Sequence, residues 1–205
     1  MTHVGFDSDE TGPDRRFLDL SVDELLIELA SPSPTPGSGF AAAVAIAMGA
    51  ANVTMAARLS HEWPEGRGAA AQAETLRKRV MELASRNAEA YASALAALQG
   101  EEEKYRTRDE TLGDALARAA DVPLEIGDAA TAVAALAAEV ADRGNPRFGA
   151  DCAVAASLAL AGARAAATLV EVNLGTTGED ERVSRAREQV EDASRSLDQA
   201  LSAVA

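Results

Sequence analysis

Two loops marked by proline and glycine run directly into alanine-rich stretches, and each carries groups able to hold a charged ligand. The first is Pro36-Gly37-Ser38-Gly39-Phe40. A helix N-terminus presents unpaired N–H groups and a partial positive charge. Glycines without Cβ let a ligand approach that backbone closely. Gly37-Ser38-Gly39 could therefore take a carboxylate or an electron-rich carbonyl. The competing reading is a flexible lead-in to a packed helix, and a short Gly-x-Gly spacing by itself favours that one. The Walker pattern is absent and no strand precedes the loop, which excludes a dinucleotide fold. The second loop, Asn145-Pro146-Arg147-Phe148-Gly149, leads to Asp151. Asp151 is either a first-turn aspartate complementing the helix dipole, worth about 0.3–1 kcal/mol, or a general acid/base or counter-ion for a cationic substrate.

A third group sits on a stripe. Leu76, Val80, Leu83, Asn87, Tyr91, Leu95 and Leu98 recur at steps of three and four, so Asn87 projects from an apolar face. A buried amide needs partners, which makes Asn87 a structural hydrogen-bonding residue or part of a polar pocket. Asp151, Ala155, Leu158, Gly162, Leu169 and Asn173 form another stripe. Asp151 and Asn173 are 22 residues apart, or ~33 Å along a straight helix. Both cannot touch one reacting carbon in the same subunit. His3 and His61 have no second ligand at metal spacing, so no metal is expected.

The elements that must position these groups are helical. The chain has 205 residues, 47% hydrophobic but only 3% aromatic, and its apolar content is mostly alanine, leucine and valine. Alanine is the best helix former. The expected architecture is all-α, a bundle of about five to six helices with alanine-rich central helices. Residues 1–16 read as a disordered acidic tail, and residues 17–205 as one helical domain. Ser21 and Glu24 form a capping box for a first helix with Val22, Leu25, Leu26 and Leu29 on its apolar side. Pro32, Pro34 and Pro36 stop it. Further helices are expected over 39–60, 69–98, 109–142 with a kink or break at Pro123, 150–174 with Gly175 as C-cap, and 179–203. In the second, Phe40, Val44, Met48, Met55 and Leu59 make the bulky face. Ala41, Ala45 and Gly49 make a small one that lets another helix approach closely, within the subunit or across a dimer.

The formal net charge is −14. No basic stripe is present to neutralise phosphates, so nucleic acid is excluded as a partner. An anionic membrane would repel the chain, and Asn52, Thr54 and Arg58 in the apolar run over 42–59 favour a buried core helix over a membrane span. One cysteine, Cys152, excludes an intrachain disulfide. With no signal-peptide pattern at the start, the expected location is cytoplasmic.

Four blocks in order, PTPGSGFAAAVAIAMGAANVTMAARLS, NAEAYASALAAL, ADVPLEI and GNPRFGADCAVAASLALAGARAAATLVEVNL, resemble the cyclodeaminase/cyclohydrolase family: the C-terminal domain of formiminotransferase-cyclodeaminase and the stand-alone methenyltetrahydrofolate cyclohydrolase. The resemblance spans about residues 17–200. It implies a dimerising all-α bundle with a folate site, a tetrahydrofolate derivative as substrate and no separate cofactor. It raises the ligand-loop reading of Gly37-Ser38-Gly39 over the lead-in. The family's loop reads Pro-Gly-Gly-Gly-Ser, where this chain has Ser38 and Phe40 at the changed positions. An aspartate usually stands where Asn87 is, while Ala90 and Tyr91 match. Asn145, Pro146 and Asp151 match the Asn-Pro block, and Val172, Asn173 and Leu174 the later one. The implied chemistry is water addition to an amidinium carbon bridging two folate nitrogens, or cyclisation of a formimino group with loss of ammonia. A carboxylate, Asp151, would move the proton. Gly37, Ser38, Gly39, Phe40, Asn87, Tyr91, Asn145 and Arg147 would bind substrate. Its anionic tail suits Arg58, Arg147 or the loop N–H groups, and its flat ring suits Phe40, Tyr91 or Phe148. The reaction is thus a hydrolase or lyase step. The departures at Phe40 and Asn87 define the alternative, a diverged small-molecule-binding or structural helical dimer.

Overall fold

The computed structural model describes residues 17–99, 108–175 and 180–204. Among them are six α-helices, two short 3₁₀ turns and no strand, as an all-α bundle requires. The tail with His3, the connector over 100–107, and the side chains of Leu95 and Leu98 lie outside the described residues.

Helix α1 (Val22–Leu29) starts where the capping box places it. Ser21 Oγ accepts from the Glu24 N–H at 3.3 Å, and Glu24 Oε2 accepts from the Ser21 N–H at 2.8 Å. Its apolar side does not bury as expected. Val22 and Leu26 are exposed, and Leu25 alone of that side packs against the main core. Two helical turns lying on the end of a bundle touch it along one edge only.

Helices α2 (Ser38–Arg58), α3 (Gly66–Gln99), α4 (Arg108–Arg143) and α5 (Gly149–Leu174) form the body, and α6 (Glu181–Ser202) packs on α4 and α5. Pro123 does not break α4, which runs on through it. Val122, Leu124 and Ile126 around it are all buried, and tertiary packing of this kind holds a helix across one missing N–H.

The small-residue faces set the spacing. A Cβ at Gly49 would stand 2.9 Å from the Ala155 carbonyl oxygen, and one at Gly162 would collide with the Ile46 side chain. Helices α2 and α5 therefore approach backbone to backbone at Gly49, and at Gly162 the Ile46 side chain lies directly on the α5 backbone. This inverts part of the expected pattern on α2. Of the expected small face Gly49 is buried while Ala41 and Ala45 are half-buried; Ala42, Ala43, Ala47 and Ala50 are buried with Phe40, Ile46 and Val53, and Met48, Met55 and Leu59 are exposed. The two helices apolar enough by length and composition to cross a membrane, Ser38–Arg58 and Pro146–Leu174, are these same partners packed on each other.

Polar ties fix the remaining helices. Asp180 caps α6, accepting from the Arg182 N–H at 2.9 Å, and the Arg182 guanidinium bonds Asp180, Asp121 and the Ala117 carbonyl. The side-chain and backbone hydrogen bonds from Arg182 lower the Asp180 carboxyl from its ordinary value to about 2. Gly175 closes α5 in the left-handed conformation at φ 64°, as its position after the helix requires. A depressed carboxylate stabilises the fold at every pH above its unfolded value, and that support is lost as pH falls through the folded value. Wild type should therefore exceed Asp180→Asn in denaturant midpoint at pH 6. The gap should close between about pH 4 and pH 2. A gap independent of pH in urea titrations would show that the charge is not what Asp180 contributes.

Candidate functional site

The loop after α1 folds back so that Ser33 Oγ donates to the Thr35 carbonyl at 2.8 Å, and the Thr35–Pro36 peptide is cis. It delivers Gly37 as the N-cap of α2. No side chain caps this end, so the first-turn N–H groups remain free donors at the positive pole of a 21-residue helix.

Beside them lies a cavity of about 280 Å³, lined by Pro34, Thr35, Gly37, Ser38, Gly39, Asn87, Ala88, Tyr91, Ala119, Leu169, Val172 and Asn173. Four elements meet there: the start of α2, the middle of α3, α4 at Ala119 and the end of α5. Five of the expected binding residues, Gly37, Ser38, Gly39, Asn87 and Tyr91, are brought together. Asn87 is 9% exposed, and no hydrogen bond engages its carboxamide among the described residues. Its amide atoms are not among the fully buried unpartnered ones, so they keep some accessible surface, and the residue lines the cavity with its hydrogen-bonding capacity unspent. Gly39 is what admits it, since any Cβ there would collide with the Asn87 carboxamide. Asn173 donates its Nδ2 to the Ala119 carbonyl at 2.9 Å, which leaves the amide oxygen available. Half-exposed Tyr91 stands at the rim.

Asn173, Leu169 and Thr35 belong to this site and were not among the expected binding residues. The signal for two of them was present: Leu169 and Asn173 continue the α5 stripe, four residues apart, on the side facing α2. Thr35 carried no signal, because its place depends on the fold-back of the loop.

Phe40 is elsewhere. Its ring is fully buried in the main core and meets Phe17 edge to face, with centroids 5.7 Å apart. One residue along a helix is a 100° turn, which carries residue 40 inward while residue 39 faces the cavity. Phe40 therefore does not fill the pocket.

Asn145, Arg147 and Asp151 lie at the opposite end of the bundle. Antiparallel packing puts the start of α5 beside the end of α2, about 30 Å from Ser38 at 1.5 Å per residue. The groups of Asn145 are consumed there. Its N–H donates to Ser60 Oγ at 2.8 Å, its Nδ2 to the Leu59 carbonyl at 3.2 Å, and its Oδ1 accepts from the Arg147 N–H at 3.1 Å. Asn145 thus pins the loop to the end of α2. Asp151 is half-buried in the first turn of α5. Arg58, suited by charge to an anionic tail, is also at this end.

Among the described residues that line it, the cavity at the α2 N-terminus has no carboxylate, and Tyr91 is the one titratable residue. It can bind through amides and helix N–H groups, but a proton acceptor must come from outside it.

The described residues thus form an all-α bundle with a cavity at an uncapped helix start. The family model described as formiminotransferase-cyclodeaminase matches residues 21–192, and the chain belongs to that family. Its fold is similar to the crystal structure of formiminotetrahydrofolate cyclodeaminase from Thermotoga maritima, with a TM-score of 0.77 over 92% of this chain and 96% of that one at 24% sequence identity. No curated protein matches.

Cys152, next to Asp151, is buried, and burial together with the neighbouring Asp151 charge pushes its thiol up to about 12. A thiol so placed is inert. A disulfide reagent such as DTNB should leave native protein unlabelled at pH 8 and label one thiol per chain after denaturation. Rapid labelling of the native protein would show that the start of α5 is open.

Proposed function

We propose that this protein is a folate one-carbon enzyme. It either hydrolyses 5,10-methenyl- to 10-formyltetrahydrofolate or cyclises formiminotetrahydrofolate with release of ammonia. The observation that carries the reading is the unpartnered Asn87 carboxamide, buried against Gly39 beside the free N–H groups of α2. Family membership and the name of the Thermotoga maritima protein support it. Ligand cavities run from ~300 to 1,000 Å³, so one of about 280 Å³ suits a fused ring and its reacting carbon, with the tail outside. Asn87 would hydrogen-bond ring nitrogens in both senses, and Tyr91 would close one flat side. No cofactor beyond the folate is needed for either reaction.

In the hydrolysis, a water oxygen bonds to the cationic carbon between the two nitrogens, one C–N bond breaks, and a proton leaves. That proton needs an acceptor, which the cavity lacks. Asp151 of a second copy supplies one in the dimer proposed here. The outward faces of α2 and α5 form one apolar surface, with Met48 and Met55 on α2 and Val154 and Val172 on α5 exposed. Helix α2 has no acidic residue, and α5 has two, of which Glu171 bonds Arg187 of α6. In a chain of net charge −14 this is the face on which a like-charged copy meets least repulsion. A two-fold axis across the helices stacks the Asp151 end of one protomer on the cavity end of the other.

Purified protein should discharge the methenyl-folate chromophore faster than the spontaneous rate. Gly39→Ala should lower kcat/KM by about 10²-fold, because its Cβ displaces the Asn87 carboxamide. The melting temperature should stay close to wild type, since the displaced group is the movable end of a side chain. No turnover of methenyl or formimino substrate would sink the enzyme reading. A folate-dependent thermal shift without turnover would establish instead a binding module, the outcome that an amide in place of a carboxylate at residue 87 favours.

The shared site has its own test. Gly39→Ala and Asp151→Asn should each be inactive alone. Mixed and allowed to re-pair, they should recover about a quarter of the wild-type rate, because random pairing gives half heterodimers with one intact site each. Absence of recovery, or a monomer by light scattering at micromolar concentration, would rule out a site completed by the partner.

A further inference from the structure

We propose that a second cavity, between the end of α2 and the start of α3, binds a small organic oxyanion, a carboxylate or phosphate, through Arg58 and Arg67. This cavity, of about 830 Å³, is lined by residues 57–74, including Arg58, His61, Trp63, Arg67 and Glu74. It opens on the α3 side of α2, away from α5, and is distinct from the cavity at Gly37–Gly39 at the other end of the same helix.

The first observation is charge left uncompensated. The chain is strongly acidic, and its inter-helix arginines have found acids: Arg86 with Glu125, Arg182 with Asp121, Arg185 with Asp128, Arg187 with Glu171. Arg58 and Arg67 line one cavity and make no ion pair or hydrogen bond among the described residues. The one carboxylate in that lining, Glu74, is already engaged. Arg77 bonds both of its oxygens at 2.7 and 3.0 Å, and Lys78 stands 3.9 Å away. Arg58 acts on Glu74 only at longer range, third among the nearby cations after Arg77 and Lys78, so neither lining arginine is tied to an acid. Guanidinium groups there are matched to the paired oxygens of a carboxylate or phosphate.

The second observation is independent of charge. Trp63, in the wall, is 8% exposed, and its Nε1–H is buried without an acceptor. That N–H has no accessible surface, so what the wall offers a ligand is the indole ring rather than its donor. Arg143 covers one face of the ring at 5.4 Å, while Ala57, Pro64 and Ala70 make an apolar floor. A ligand with an anionic end and a short apolar body fits this combination of groups.

Trp63 is the only tryptophan in the chain, so intrinsic fluorescence reports on this wall alone. Citrate and inorganic phosphate, titrated separately in low-salt buffer, should change its emission saturably with at least one of the two. Arg58→Gln and Arg67→Gln should each weaken that response by about tenfold, with helicity by circular dichroism unchanged. Arg164→Gln, which removes an unpaired arginine on the outer side of α5, should leave it as in wild type. Emission that only follows ionic strength, matched by sodium chloride, would overturn the proposal. So would an Arg58→Gln/Arg67→Gln double variant that binds with unaltered affinity.

Discussion

The close antiparallel contact of α2 with α5 governs the rest of the molecule. Two glycines make it possible, Gly49 against the Ala155 backbone and Gly162 against Ile46. With no side chain on either glycine, the helices approach closely enough for alanine to fill much of the interior. That single contact has two consequences. It places the end of α5 beside the start of α2, which builds the cavity around Gly39, Asn87 and Asn173. It also carries Asp151 to the far end. A site built on residues from both poles of this pair cannot close within one chain, so the geometry that makes the pocket also removes the carboxylate from it.

The helical architecture was legible because it rests on local chemistry. The Ser21–Glu24 capping box and the left-handed Gly175 each act within a few residues, and both appear where spacing puts them. What was not legible depends on which of two apolar faces a helix buries. On α2 both the bulky stripe and the small one are apolar, and periodicity cannot rank them. The buried side runs between the two stripes, taking Gly49 from one and Phe40 from the other and leaving Met48 and Met55 outside. The same ambiguity misplaced Phe40. Its neighbour Gly39 belongs to the cavity, yet one residue further the helix faces the core. Pro123 was read by its local cost, and the buried residues around it outweighed that cost.

Asn87 was legible as an anomaly, an amide on an apolar stripe, and a polar pocket was one of the two readings that the stripe allowed. Periodicity says that it is buried and cannot say whether a backbone group or an open space lies opposite. The structure answers with Gly39. The pair behaves as a unit, a missing Cβ on α2 and a carboxamide from α3 occupying its room. Asn145 looked similar in the sequence and turned out the reverse, with every polar group of its side chain spent on the backbone of neighbouring loops. Two asparagines beside glycines thus differ in one respect that matters for function, namely whether their hydrogen bonds are already made.

Charge distribution follows the same logic of spent and unspent groups. Surface ion pairs contribute little stability each, about 0–1 kcal/mol, so the arginines on α6 serve mainly to orient that helix on α4 and α5. Gln189 adds to this by donating to the Leu124 carbonyl and to Asp128, with Gly127 providing the room. Where pairing is complete, the surface is structural. Arg164, unpaired as well, lies on the open surface of α5; the other groups without a hydrogen bond or ion pair among the described residues include the amide of Asn87, the arginines at residues 58 and 67, and the indole N–H of Trp63. They sit at opposite ends of α2, each in the wall of a cavity. For the two proposed sites, the amide of Asn87 and the arginines at residues 58 and 67 are the groups through which a ligand would complete hydrogen bonding that folding leaves open.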